Sequence, residues 1–82
     1  MDIMLDSVIV GKVFQRIRDR KGLSQEVVSG LADIGRTHLS AIERGERRPT
    51  LDTLFKLAYA LNMTPSDIVR EIEKEVERTE KQ

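Results

Sequence analysis

Residues 36–49 read RTHLSAIERGERRP and hold four arginines, Arg36, Arg44, Arg47 and Arg48, in an 82-residue chain whose formal net charge is zero. A guanidinium keeps its charge at physiological pH. Its planar fork of donors matches a phosphate or the O6 and N7 of a guanine. Four of them in so short a stretch make a local footprint for anions that the average conceals. Residues 11–48 carry nine Lys/Arg against five Asp/Glu, whereas residues 49–82 carry five against seven. Such an asymmetry assigns a basic face to one part of the chain and a different task to the other.

Other chemistries find little to work with. The chain has one histidine, His38, and no cysteine. Disulfides and thiolate zinc sites are therefore excluded, and His38 lacks a second metal ligand. There is no glycine-rich phosphate loop and no acid pair placed in a recognisable pocket, so no enzymatic activity, metal or cofactor is expected. The opening MDIMLDSVIV is apolar but carries Asp2 and Asp6 and no base ahead of its apolar run. A secretory signal needs a positive start, and a membrane span needs about 20 apolar residues. The expectation is a soluble, cytoplasmic protein without a membrane partner.

The elements that must position the arginines are helical. Apolar residues recur at helical spacing, and no alternating strand pattern extends beyond a few residues. Val10, Val13, Phe14 and Ile17 form one face of a first helix over about 7–21, closed by Gly22. Ser24 suits an N-cap, with Leu23 and Val28 placed as a hydrophobic staple, for a second helix over 24–31. ADIG breaks the chain, and a third helix over 36–44 ends where Gly45 supplies a C-terminal glycine. Thr50 opens a fourth helix over 50–61. Thr64, Pro65 and Asp67 open a fifth over 64–77 in the manner of a capping box. A charged tail, 78–82, is expected to fray. The fold class is all-α, a compact five-helix bundle in one domain spanning 1–82 with an extended C-terminal helix. The second and third helices, separated by four residues, form a helix-turn-helix arrangement.

On a helical wheel, Leu39 and Ile42 define the buried side of the third helix. Thr37, Ser40, Ala41 and Arg44 fall opposite, and three of these four are small. Small side chains let a helix enter a DNA major groove and bring its backbone near the base edges. Arg36, in the first turn, can reach a guanine or a phosphate. Thr37 can offer its methyl group to thymine or its hydroxyl to a base edge. Arg44, Arg47 and Arg48 stand where the DNA backbone would flank the groove, and phosphate contacts there position the protein while base contacts specify sequence.

GLSQEVVSGLADIGRTHLSAIERGERRPTL resembles the helix-turn-helix of the Cro and phage-repressor family, the XRE type. VGKVFQRIRDRKGLSQ and LFKLAYALNMTPSDI match that family's first, fourth and fifth helices. The resemblance covers roughly residues 10–69, and its most specific pieces are GLSQE, IERGERRPT and LAYALN. RTHLSAIERGERRPTL and the short length are also similar to controller proteins of restriction–modification systems. The lambda-repressor-like fold is implied by the resemblance. So are base-reading roles for Arg36, Thr37 and His38, with Ser40 and Ala41 one turn on. His38 lies near the core boundary on the wheel and is as well placed to pack or touch a phosphate. The resemblance further implies that Gln25 bonds a phosphate and buttresses the reading helix, and that Arg18 and Glu43 form a partly buried ion pair. The chain departs from the family at Asp33, where a left-handed turn usually takes glycine, and at Gly35, which replaces a Ser or Thr cap.

The expected function is sequence-specific binding of double-stranded DNA in transcriptional regulation, by a homodimer on a near-palindromic operator. Ile68, Ile72 and Val76 recur at i+4 intervals and carry an apolar stripe past the matched region. They are the expected dimer contact, and two reading helices about 34 Å apart would then meet successive major grooves. The alternative is that they fold back over the first helix and the IML segment at 3–5. A second functional class is an antitoxin-like regulator whose helical surface, IML and the tail helix included, also binds a protein partner.

Overall fold

The computed structural model describes residues 5–80. Five helices follow in order: α1 (Ser7–Arg20), α2 (Gln25–Ala32), α3 (Arg36–Glu43), α4 (Leu51–Ala60) and α5 (Pro65–Glu80). Strands are absent among the described residues. Side chains cap the helix starts as their residue types require. The Asp6 carboxylate accepts from Val8 N–H, Ser24 Oγ from Val27 N–H, Thr50 Oγ1 from Thr53 N–H and Thr64 Oγ1 from Asp67 N–H. Each cap satisfies a backbone donor that the helix itself cannot.

The helix ends share one device. After α3, Glu46 N–H donates to Ala41 O and Gly45 N–H to Ile42 O, with Gly45 at φ +79°. This paired closure needs a left-handed residue at its centre, a conformation cheap for glycine. The same pairing closes α4 at Asn62 and α2 at Asp33, both at φ +56°. Asp and Asn tolerate that region better than most residues. The turn between α2 and α3 therefore forms without the usual glycine.

α1 packs on α3 and α5, and α4 packs on α2 and α5. Phe14, Ile17, Leu39, Ile42, Leu57 and Ile68, all at most 1% exposed, meet at the centre. Helix α1 is thus the spine against which both the helix-turn-helix and the C-terminal helix rest.

Two expectations change. The tail expected to fray is helical to Glu80, because Thr79 Oγ1 donates to Glu75 O and Arg78 pairs with the Glu75 carboxylate. Residues 81–82 lie outside the described part, as does the Ile3–Met4 portion of the IML segment. The stripe Ile68, Ile72 and Val76, expected at a dimer contact, turns inward in the single chain. Ile68 and Ile72 are 0% and 8% exposed within the chain's own core, and Val76 packs half-buried against it. The stripe faces α1, whose apolar side would otherwise meet water.

Ion pairs reinforce that contact. Arg16 Nη1 donates to Glu75 Oε1 at 2.6 Å, and Arg20 Nη2 to Glu71 Oε2 at 2.9 Å. The arginines are four apart on α1 and the glutamates four apart on α5, so the two helices meet in register. Hydrogen bonding from Arg20 lowers the Glu71 pKa, and hydrogen bonding from Arg16 and Arg78 lowers that of Glu75. A carboxyl depressed in the folded state adds stability that is complete above its unfolded pKa, about 4.5 for glutamate, and is lost as pH falls through the folded value. The urea midpoint should therefore be flat from pH 7 to about 5 and fall below about pH 4.5. Glu71→Gln/Glu75→Gln should lower the midpoint at pH 7 and blunt the acid fall; an acid limb identical to wild type would remove these pairs from the stability of the fold.

Candidate nucleic-acid interface

Helix α3 begins at Gly35, whose φ of −69° and ψ of 145° turn the chain into the helix without a side-chain cap. The first-turn N–H groups are left for solvent or an incoming anion. Arg36 and Thr37 are exposed here, and His38 and Ser40 are half-buried. Gln25, at the start of α2, joins Arg36, Thr37, Ser40 and Arg44 around one shallow cleft. The helix-turn-helix thus presents a polar, cationic hollow made from both of its helices.

Ala41 does not belong to it. It is 7% exposed, because the chain after α3 turns back at Gly45 and the Ala41 carbonyl accepts from both Glu46 and Arg47 N–H. Its methyl group, expected at a base edge, is therefore not part of the cleft surface. The wheel puts Ala41 opposite the buried side because it carries no information about the turn that covers it.

Behind the cleft lies a buried polar knot. Glu43 is 7% exposed and accepts three hydrogen bonds: Arg18 Nε at 2.7 Å, Arg18 Nη2 at 2.9 Å and Gln25 Nε2 at 2.9 Å. Arg18 Nη1 donates in turn to Leu23 O at 2.8 Å. The Glu43 contact raises the Arg18 pKa further, so the guanidinium cannot escape burial by losing its proton. One knot therefore ties α1, the loop before α2, the first residue of α2 and the last of α3. Gln25 keeps a second amide N–H and its carbonyl for other partners. Among the described residues no buried side-chain nitrogen or oxygen lacks a hydrogen-bond partner.

The remaining arginines divide. Arg47 and Arg48 are exposed and form no ion pair among the described residues. Arg44 is held: its Nε and Nη2 meet the two carboxylate oxygens of Glu46 at 2.9 and 3.0 Å, and its Nη1 donates to Ser40 Oγ. Glu46 is the neighbour of Arg44 that the sequence does not single out. Its only signal is an acid standing alone within the basic run Arg44–Arg48. No group of His, Asp and Glu able to hold a metal ion occurs among the described residues, and no described helix is long and apolar enough to cross a membrane.

Comparison with known proteins places this geometry. A helix-turn-helix family model matches residues 14–68. The uncharacterised helix-turn-helix-type transcriptional regulator y4dJ of Sinorhizobium fredii is 43% identical over 61 residues, covering 74% of this chain and 79% of that protein. The crystal structure of the restriction–modification controller protein C.AhdI from Aeromonas hydrophila aligns with a TM-score of 0.75 at 35% identity, over 79% of this chain and 98% of that one. The controller protein C.Esp1396I, a tetramer in complex with its natural 35 base-pair operator, aligns with a TM-score of 0.81 at 27% identity, over 90% and 97% of the two chains.

The knot behind the cleft sets a stability test. Glu43→Gln leaves a buried, charged Arg18 without its carboxylate and should cost about 3 kcal/mol or more, read from urea denaturation. Adding Arg18→Met should recover part of that loss. A loss under about 1 kcal/mol with no coupling between the two positions would make them independent surface charges.

Proposed function

The chain belongs to the helix-turn-helix family of the Cro and phage-repressor (XRE) type, and we propose on that premise that it is a sequence-specific DNA-binding regulator of the controller-protein kind. The observation that carries this reading is the single cleft formed by Gln25, Arg36, Thr37 and Ser40, with Arg47 and Arg48 exposed beyond the end of the same helix. Arg36 and Thr37 read base edges in the major groove, with Ser40 one turn on and His38 at the margin. Gln25, Arg47 and Arg48 contact phosphates and fix the register. The controller proteins that resemble the chain, one of them on its operator, support this assignment.

The working form is a homodimer. Its contact surface is the outer face of α4, where Leu51, Phe55 and Tyr59 stand at i, i+4 and i+8 and are 64%, 59% and 78% exposed. Leu31 of α2, 54% exposed, extends the patch beside Phe55 and Tyr59. Two aromatic rings and two leucines left this open supply about 450 Å² per subunit. That is over half of the roughly 800 Å² each partner buries in a standard interface. A second copy related by a two-fold axis covers the patch with the same patch and presents two α3 helices to a near-palindromic site.

Two measurements test the reading. With Arg47 and Arg48 on phosphates, a dimer neutralises about four, so log K for operator should fall with log[salt] at a slope of roughly −3.6. Arg47→Ala/Arg48→Ala should flatten it and weaken operator and random DNA alike. An unchanged slope would take both arginines out of the interface. Phe55→Glu should give a folded monomer in sedimentation and circular dichroism that binds a half-site weakly. A variant that stays dimeric with full operator affinity would place the contact elsewhere.

A further inference from the structure

Arg44 lies on the cleft side of α3, seven residues after Thr37 and four after Ser40, yet its charge is already matched. Glu46 takes the side-on edge of its guanidinium, Nε and Nη2, through two nearly equal bonds of 2.9 and 3.0 Å, while Ser40 Oγ accepts from Nη1. The Arg44 and Glu46 side chains are 52% and 59% exposed, so burial does not force the pairing. The turn does. Gly45, at φ +79°, reverses the backbone between them and sets the carboxylate beside the guanidinium.

A guanidinium has two double-donor edges. With the side-on edge on a carboxylate and Ser40 on Nη1, the guanidinium still keeps N–H groups on Nη1 and Nη2 for a further acceptor. Its direction is fixed from both sides, by Glu46 and by Ser40. A free surface arginine finds the nearest phosphate as a mobile charge. An arginine neutralised by a bidentate carboxylate attracts phosphate little, but it offers a rigid fork matched to guanine O6 and N7.

We propose that Glu46 is a specificity-determining positioning residue that withdraws Arg44 from the phosphate backbone and aims it at a base edge in the major groove. The inference rests on the function proposed above and assigns Arg44 to reading the sequence. Glu46 does not itself touch a base. It acts through Arg44, and its carboxylate also discourages close approach of phosphates at that point of the loop.

The test compares wild type, Glu46→Gln and Arg44→Ala on a site selected from a random DNA pool and on random duplex. Each is followed by salt titration and by renewed site selection. Glu46→Gln frees Arg44 to seek phosphate, so random-duplex affinity should rise and the salt slope should steepen by about 1.8 for a dimer. Preference at one base pair per half-site should drop roughly tenfold, and Arg44→Ala should lose preference at the same base pair. A Glu46→Gln protein with wild-type slope and wild-type motif overturns the proposal. So does one that gains affinity for selected and random DNA equally with the motif intact, which would make Glu46 a general repulsive charge. If wild type itself selects no site, the failure belongs to the proposed function. Thermal unfolding of Glu46→Gln at the wild-type midpoint shows that the readouts do not come from a loosened fold.

Discussion

Everything presented by α3 depends on how closely α1 approaches its C-terminal end. At Gly11 there is no room for a side chain: a Cβ would collide with the Ile42 carbonyl oxygen and stand 2.6 Å from that of Glu43. Backbone atoms cannot yield as a flexible side chain can. Next to this contact, Ser7 Oγ donates to the Gly45 carbonyl at 2.8 Å, and a Cβ at Gly45 would press to 2.8 Å from the Val8 Cα. The C-terminal end of α3 and its following turn are thus clamped onto α1. Arg18, two turns further along α1, completes the clamp through Glu43 and Gln25. Rigid support of this kind holds contacting side chains within the tolerances that recognition needs.

The zero net charge is explained by where the acids are. Glu71 and Glu75 answer arginines on α1, Glu43 answers Arg18 and Glu46 answers Arg44. Most arginines outside the cleft therefore serve the fold. Arg36, Arg47 and Arg48 remain as exposed positive charge around one helix. A protein arranged in this way needs no overall basic character to meet a polyanion, because the field that matters acts within about a Debye length.

Much of this was legible in the residues. Capping types, apolar spacing and left-handed turn residues located five helices to within one or two positions, apart from the end of α5. At that end a run of charges suggests solvent, whereas Glu75 and Arg78 bond across to α1 and along α5. Periodicity shows that Ile68 and Ile72 share a face but not which neighbour takes it. The answer depends on α1 lying across α5, a tertiary fact. Leu51, Phe55 and Tyr59 have the same i+4 spacing and remain uncovered, because Thr53, Leu57 and Ala58 already supply the inward face of α4. Ala41 and Glu46 share one cause: the reversal at Gly45 buries the first and brings the second to Arg44.

The central claim is that the Arg36–Ser40 face of α3 reads DNA through the major groove. Methylation interference on a selected site addresses it directly, since guanine N7 lies in the major groove and adenine N3 in the minor. Binding should be blocked by N7 methylation at symmetry-related guanines in both half-sites and be indifferent to N3 methylation at their centre. Full binding to N7-methylated sites, with interference only at adenine N3, would contradict it.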